Sequence, residues 1–193
     1  SSDLNVSRVL KTLDVDSTAL GFSGGFPGDF IAQTLEDSNI QSDFVQVDED
    51  TRINVKLKSG QETEINAPGP KVTHAQFEQL LSQIRRTTND DIVIVAGSVP
   101  NSIPSDAYAQ IAQITEKTGA QLVVDAEKDL VETVLPYRPL FIKPNKDELE
   151  VMFNTTVKSD EDVIKYGKEI LKKGAQSVII SLGGDGAIYV DQQ

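Results

Sequence analysis

The segment Lys143-Pro144-Asn145-Lys146-Asp147-Glu148 carries side chains whose types suit a phosphate group and a magnesium ion. Lys143 offers a point positive charge, while Asn145 and Glu148 offer the hard oxygen ligands that Mg²⁺ or its bound waters prefer. The same spacing also has a purely structural interpretation, because Asn at the N-cap and Glu three positions later form a capping box. The two roles are compatible, and both remain open from the sequence.

The segment from Ser181 to Gly186 is rich in glycine and lies between two apolar runs. Glycine lets backbone N–H groups approach an anion closely, which would suit a nucleotide phosphate. The candidate nucleotide-binding residues here are Ser181, Gly183, Gly184 and Gly186. Asp185-Gly186 between two strand-like runs is a strong turn signal, and on spacing alone it favours a plain hairpin. The segment is neither a Walker A loop nor a dinucleotide-binding fingerprint, since it lacks the Gly-Lys-Ser/Thr of the first and the following helix of the second.

Polar and apolar residues alternate from position 52 to position 57. The polar residues are Arg52, Asn54 and Lys56, and the apolar residues are Ile53, Val55 and Leu57. A polar strand face is often simply solvated, but in an acidic protein an Arg and a Lys on one face could also hold a phosphate. The apolar face of so small a sheet needs a cover, and a second subunit is a candidate for it.

Three further features have plainer explanations. Ser98 follows a predicted strand, but no Gly-x-Ser-x-Gly elbow surrounds it, so a hydrogen bond to substrate or a loop-stabilising role is favoured over a nucleophile. His74 is expected to be an exposed residue in the first turn of a helix. The turn containing Gly24, Gly25 and Gly28 is expected to be structural, with a ligand contact as the alternative.

These residues must be positioned by helices and strands, and the apolar periodicity predicts both. Predicted helices cover 6–13, 29–37, 73–85, 105–117, 128–135, 146–153 and 160–173. Predicted strands cover 17–22, 91–96, 121–125, 140–143 and 177–182, and residues 43–66 predict an antiparallel meander. The alternation indicates an α/β fold with a mostly parallel sheet and helices on both faces.

In such a sheet, ligands bind beyond the carboxyl ends of the strands. Four segments directly follow predicted parallel strands, and topology should bring them to one edge. They are Gly97-Ser98-Val99-Pro100, Asp125-Ala126-Glu127, Lys143 to Glu148, and Ser181 to Gly186.

Composition excludes several classes of function. The 193 residues carry a net charge of −12, which disfavours nucleic acid and anionic membranes as partners. With no Cys and a single His, disulfides, thiolate chemistry and multi-histidine metal sites are excluded. The absence of Cys is compatible with a reducing, cytoplasmic setting, and the apolar runs are too short to span a membrane. We therefore expect a soluble, cytoplasmic protein.

Taken together, these pieces resemble the ribokinase-like pfkB carbohydrate kinases, and among them the 1-phosphofructokinases are most similar. Segment 5–10 is similar to the end of the family's Gly-Gly-Lys-Gly-x-Asn signature, and Thr51 to Val55 resembles its substrate-lid strand. The other similar pieces, in family order, are 64–70, Ala96 to Pro100, the Lys143 segment and the Ser181 segment. The resemblance implies a lid over 43–66 and an α/β kinase domain over 1–42 and 67–193.

The resemblance also implies an activity, the transfer of a phosphoryl group from MgATP to a sugar phosphate, with fructose 1-phosphate as acceptor. Asn5, Arg52, Asn54 and Ser98 would bind the substrate. Lys143, Asn145, Ser181, Gly183, Gly184 and Gly186 would bind ATP, and Glu148 would hold Mg²⁺ through water. The relatives often dimerise through the lid, so a homodimer is expected.

Two family segments are not found in these residues. Ser1 to Leu4 replace the Gly-Gly-Lys-Gly sequence with its lysine, and the Gly-Ala-Gly-Asp segment that carries the catalytic base is missing, as is the family's first strand. We therefore expect a chain without its N- and C-terminal parts, whose catalytic base is unknown. The alternatives are tagatose-6-phosphate kinase, 6-phosphofructokinase, or a non-catalytic module that binds a sugar phosphate or nucleotide.

Overall fold

The computed structural model describes residues 2–59, 61–97, 99–126 and 128–193. The helices are α1 (Ser2–Thr12), α2 (Gly25–Asp37), α3 (His74–Ile84), α4 (Ala107–Thr118), α5 (Lys128–Val134), α6 (Lys146–Phe153) and α7 (Asp160–Lys173). The strands are β1 (Thr18–Ser23), β2 (Gln41–Gln46), β3 (Asn54–Ser59), β4 (Gln61–Asn66), β5 (Ile92–Ala96), β6 (Gln121–Asp125), β7 (Phe141–Ile142), β8 (Ser177–Ser181) and β9 (Ala187–Val190). Two short 3₁₀ helices cover Leu135–Tyr137 and Gly183–Asp185.

The chain divides into two compact units. The first contains Ser1–Ser82 and Val99–Ser105, and the second contains Gln83–Ser98 and Asp106–Gln193. In the first unit, β1 and β2 pair in parallel, and α2 connects them. A small core of Ala19, Leu35 and Ile40 lies between the helix and the strands, with Phe44 packed against it. A strand, a helix and a parallel strand in succession form the repeating unit of an α/β fold.

The antiparallel ribbon of the first unit is shorter than the sequence predicts. Strand β3 pairs with β4, and Asn54 lies opposite Asn66. Residues 43–46 belong instead to β2, which runs parallel to β1, so the predicted meander is wrong at its first strand. The reason is burial, because Val45 is fully buried in the core of its unit. The division of the chain into a lid over 43–66 and a kinase domain stays a prediction.

The start of α2 also differs from the sequence prediction. The predicted turn over 23–28 contains the first turn of the helix, which begins at Gly25 after the N-cap residue Gly24. Pro27 is compatible with this because the first N–H groups of a helix have no intrahelical partner in any case. The helix therefore begins four residues before the predicted start at Asp29.

The second unit is built on a five-stranded sheet in the order β5-β6-β7-β8-β9. The first four strands are parallel, and β9 returns antiparallel to β8. The α/β class, the mostly parallel sheet and, in the first unit, the short antiparallel pair β3–β4 are confirmed as predicted from the sequence. Its fully buried side chains include Val124, Val134, Ile142, Leu149, Ile170, Val178 and Ile180. These come from both strands and helices, so the sheet and its helices share one core.

Candidate functional site

Backbone hydrogen bonds bring the segments after the parallel strands together at the carboxyl edge of the second unit's sheet. The Gly97 amide donates to the Asp125 carbonyl at 3.2 Å, and the Ser181 amide donates to the Pro144 carbonyl at 3.0 Å. Asn145 and Ser181 form a further parallel bridge. The edge predicted from topology therefore exists within this unit, and it joins the segment at 143–148 to the glycine-rich segment at 181–186.

Lys143 forms an ion pair at this edge. Its Nζ lies 3.3 Å from Asp125 Oδ2, and the two side chains are 41% and 38% exposed. The sequence placed Asp125 after a strand but did not assign it to the site. The signal was its position, because Asp125 ends β6 and Lys143 follows the neighbouring strand β7. The lysine is thus paired on one side while its side chain remains accessible to a ligand.

Asn145 and Glu148 form the capping box that their spacing predicts. The Glu148 amide donates to Asn145 Oδ1, and the Asn145 amide donates to Glu148 Oε2, both at 2.8 Å. The structural interpretation of this motif is confirmed. The capping contact of Glu148 uses one carboxylate oxygen, so Oε1 can still face water or a hydrated cation. The proposed nucleotide and metal roles stay predictions beside the structural one.

The glycine-rich segment forms the hairpin between β8 and β9. The Leu182 amide donates to the Gly186 carbonyl at 2.8 Å, which closes the loop. Gly183 and Gly186 have positive φ angles of 63° and 99°, a backbone conformation that favours glycine. Gly184 has no such conformation, and a Cβ there would meet nothing within 4 Å. Neither packing nor backbone conformation therefore explains Gly184, whereas close approach of a ligand to the backbone would.

The substrate-binding candidates of the first unit lie on its surface. Asn5 is exposed on α1, and Arg52 is exposed in the segment before β3. Arg52 thus lies outside the strand on which the sequence placed it, while Asn54 is the first residue of β3. Ser98 lies outside the described residues. His74 is exposed in the first turn of α3, as predicted.

The glycine turn at 24–28 supports the segment that leads to Arg52. The Thr51 amide donates to the Gly24 carbonyl at 2.9 Å, and the Gly24 amide donates to Thr51 Oγ1 at 3.0 Å. A Cβ on Gly24 would collide with the carbonyl oxygens of Val47 and Glu49. The structural explanation of this turn is therefore confirmed, and Thr51 is a supporting residue that the sequence did not single out.

The described residues contain neither a clustered metal site nor a membrane-spanning helix. Among residues 2–59, 61–97, 99–126 and 128–193, no cluster of three or more His, Cys, Asp or Glu side chains could hold a metal ion. In the same ranges no helix has the length and apolar character that a membrane span needs.

Comparison with known proteins identifies the family. The sequence pattern of the pfkB family carbohydrate kinases matches residues 2–193. The chain belongs to this family. A pfkB relative, the 1-phosphofructokinase of Bacillus subtilis (strain 168), is 43% identical over 96% of this chain and 61% of its own length. The D-tagatose-1-phosphate kinase of Bacillus licheniformis is 38% identical over 98% of this chain and 63% of its own length. The chain thus spans about three-fifths of the curated relatives that it matches.

Solved structures agree with the pfkB assignment. A Staphylococcus aureus protein described as a candidate phosphofructokinase is 78% identical, with a TM-score of 0.88 over 98% of this chain and 62% of its own. The phosphofructokinase-2 of Escherichia coli, solved in complex with fructose-6-phosphate, is 28% identical, with a TM-score of 0.91 over 98% of this chain and 64% of its own. The fold of this chain is therefore that of the ribokinase-like sugar kinases.

Proposed function

We propose that the protein is an ATP-dependent sugar-phosphate kinase that converts fructose 1-phosphate to fructose 1,6-bisphosphate. The observation that carries the proposal is the carboxyl edge of the second unit, where Lys143, the capping box and the Ser181 to Gly186 hairpin are joined by the Asn145–Ser181 bridge. Family membership and the 1-phosphofructokinase of Bacillus subtilis support the activity.

The edge suits a nucleotide because it combines a cation with an open backbone. Transfer of a phosphoryl group demands mainly positioning and neutralisation of charge. In the proposal Lys143 neutralises phosphate charge, Asn145 orients a phosphate, and the hairpin residues Ser181, Gly183, Gly184 and Gly186 bind the nucleotide. The open space around Gly183, Gly184 and Gly186 supports this assignment, since a bulky nucleotide needs an uncrowded backbone.

The residues of this edge fit a magnesium ion that is held mainly by water and phosphate. Mg²⁺ usually keeps several waters and takes only one or two protein carboxylates. Glu148 can hold such a hydrated ion while it caps α6, because the capping contact described for it uses Oε2. When bound with ATP, the ion supplies charge neutralisation on the phosphates.

The sugar phosphate is assigned to residues of the first unit and to Ser98. Arg52 would bind the phosphate of the sugar, because a guanidinium can hold two phosphate oxygens at once. Asn5 and Asn54 would hydrogen-bond the sugar or its phosphate. We assign no general base, since the family segment that carries it is not among these 193 residues.

A second candidate substrate class has a specific observation in its favour. The Bacillus licheniformis relative, at 38% identity, is a D-tagatose-1-phosphate kinase. The Escherichia coli structure was solved with fructose-6-phosphate. Tagatose phosphates and fructose 6-phosphate are therefore the alternatives to fructose 1-phosphate, and a binding module without turnover is the alternative to a kinase.

The test is ADP release from MgATP by the whole protein. The acceptors are fructose 1-phosphate, fructose 6-phosphate, tagatose 1-phosphate and tagatose 6-phosphate, with unphosphorylated fructose as the control. We expect turnover with fructose 1-phosphate and no turnover with fructose. Selective turnover of another phosphosugar would replace the substrate, and tight binding without turnover would overturn the kinase proposal.

We also propose a homodimer in which the β3–β4 ribbon is covered by a second subunit. A two-stranded ribbon is marginal in water by itself, and its sequence alternates apolar with polar residues. Replacing Leu57 by Lys should convert the dimer to a monomer in sedimentation velocity, whereas Lys56→Gln should not.

The cytoplasmic location, where ATP and sugar phosphates are available, stays a prediction.

A further inference from the structure

The ion pair at the carboxyl edge joins residues that are far apart in the sequence. Asp125 ends β6, and Lys143 directly follows β7. In the parallel register, Val124 lies beside Ile142, so Asp125 and Lys143 are the next neighbours along the two strands. The Lys143 amide donates to the Val124 carbonyl at 3.1 Å, and the Asp125 carbonyl accepts from Gly97 at 3.2 Å. The backbone of both partners is thus held by the sheet.

Stability does not account for this pair. With side chains 41% and 38% exposed and Nζ 3.3 Å from Oδ2, it belongs to the class of ion pairs that contribute little to folding. A carboxylate at an edge that receives phosphates would repel them if it stood alone. Its presence there therefore needs a reason connected with Lys143.

We propose that Asp125 is a positioning residue. It holds the Lys143 ammonium where this group neutralises the negative charge of the transferred phosphoryl group. The inference rests on the proposed kinase function and deepens it. A lysine has a flexible four-carbon stem, so the ammonium without a partner samples many positions. With Asp125 the ammonium is fixed at the edge between β6 and β7, and Lys143 in turn neutralises the carboxylate that would repel ATP.

This arrangement predicts that loss of the carboxylate harms kcat but does not weaken the binding of MgATP. Replacing Asp125 by Asn removes a negative charge, so the KM for MgATP should stay the same or fall. The lysine is then no longer held, so kcat should fall by roughly tenfold, since small misplacements of a catalytic charge are costly. Asp125→Glu, which retains the carboxylate, should recover part of kcat. A merely structural residue would not separate the two parameters in this way.

The decisive test is a double-mutant cycle of Asp125→Asn and Lys143→Met, with the kinetics measured on the whole protein. Lys143→Met leaves Asp125 unpaired beside the phosphates, and the KM for MgATP should rise by roughly tenfold or more. Adding Asp125→Asn to Lys143→Met should then raise kcat/KM, although Asp125→Asn lowers kcat when it is made in the wild type. Glu169→Gln, which removes the partner of Lys172 at 2.7 Å on α7, is the matched control and should leave kinetics unchanged.

The outcomes separate this inference from the proposed function. If Asp125→Asn lowers kcat equally with and without Lys143, Asp125 acts on the metal or the substrate independently, and the positioning role is wrong. If Asp125→Asn has no kinetic effect, the inference is also overturned, while the kinase function stands on wild-type turnover. A wild type that turns over no phosphosugar would overturn both.

Discussion

At the residue scale, the glycines at positions 24 and 25 have a different physical reason from Gly184. Gly24 and Gly25 lie against the segment 47–51, and side chains at these positions would collide with its backbone or with Asp50. Gly184 faces open space and has no positive φ angle. Gly24 and Gly25 are explained by packing, and Gly184 is explained by the proposed approach of a nucleotide.

Gly24→Ala should therefore destabilise the protein. The added methyl group meets the carbonyl oxygens of Val47 and Glu49, which are backbone atoms and cannot move aside cheaply. We expect a loss of about 1–3 kcal/mol in the free energy of unfolding, as for other overpacked sites. Urea denaturation of the whole protein checks this, with Gly184→Ala as the control that should lie within about 0.5 kcal/mol of wild type.

Arg52→Ala should weaken binding of the phosphosugar far more than binding of ATP. Loss of the charge-assisted contact between the guanidinium and the phosphate predicts a rise in the KM for the phosphosugar of roughly tenfold to a hundredfold. Lys117→Ala removes one positive charge from the last turn of α4 and serves as the matched control. Equal losses for both ligands would rule out the proposed phosphate contact.

At the scale of elements, the side-chain caps of α6 and α7 lie in different surroundings. Asn145 caps α6 at the candidate nucleotide site, and Ser159 caps α7 by accepting from the Asp162 amide. The two caps stabilise their helices by the same means. Comparison of the two caps therefore separates the structural role of Asn145 from its proposed functional role.

Asn145→Ala and Ser159→Ala should each cost about 1 kcal/mol of stability, the usual loss for a helix cap. Only Asn145→Ala should also raise the KM for MgATP, because only Asn145 lies at the carboxyl edge beside Ser181. Thermal unfolding and steady-state kinetics of the two variants measure both effects. If both variants have wild-type kinetics, Asn145 is a cap and nothing more.

The first turn of α7 predicts a pH effect with a defined sign. The pKa of Glu161 is lowered by its backbone hydrogen bond and by a hydrogen bond with Ser159, against smaller effects of burial and of Asp162 that raise it. A lowered pKa means that the carboxylate stabilises the fold above the ordinary pKa of a glutamate and that this stabilisation is lost as the pH falls through the lowered pKa. Ser159→Ala should raise the pKa of Glu161, which an NMR titration of its carboxyl carbon would detect; an unchanged pKa would contradict the contact.

At the scale of the whole molecule, strand β5 stands at one end of its sheet and is only partly covered. Ile92 and Ile94 are 57% and 39% exposed, whereas Leu122, Val123 and Val124 of the neighbouring β6 are buried. An apolar strand at a sheet edge favours association with other chains. The exposed face of β5 is thus prone to self-association.

The isolated 193-residue polypeptide should therefore aggregate or fold only in part. Ile92→Lys should reduce its light scattering at a given concentration, because a charge on an edge strand opposes pairing. Ile164→Lys is the control, since Ile164 is 39% exposed on α7 and does not lie on a sheet edge. A cooperative thermal transition and a monodisperse wild-type polypeptide would contradict this prediction.

The sequence by itself determined those features that depend on local contacts. The predicted bounds of α6 and α7 match because Asn145 and Ser159 are caps whose partners lie three residues away. The apolar runs of β6 and β8 likewise indicated buried parallel strands. The order and spacing of several motifs, including those at 143–148 and 181–186, indicated the family. Apolar periodicity and helix capping depend on residues that are close in the sequence, so both can be predicted without knowledge of the fold.

Only the tertiary structure decided which distant residues meet. It assigned residues 43–46 to a strand parallel to β1, and it placed Arg52 before β3. It also paired Asp125 with Lys143, since the register of β6 and β7 makes neighbours of residues that lie on separate strands. Strand partners and ion pairs of this kind depend on how the chain crosses over between strands, which no local pattern of residues specifies.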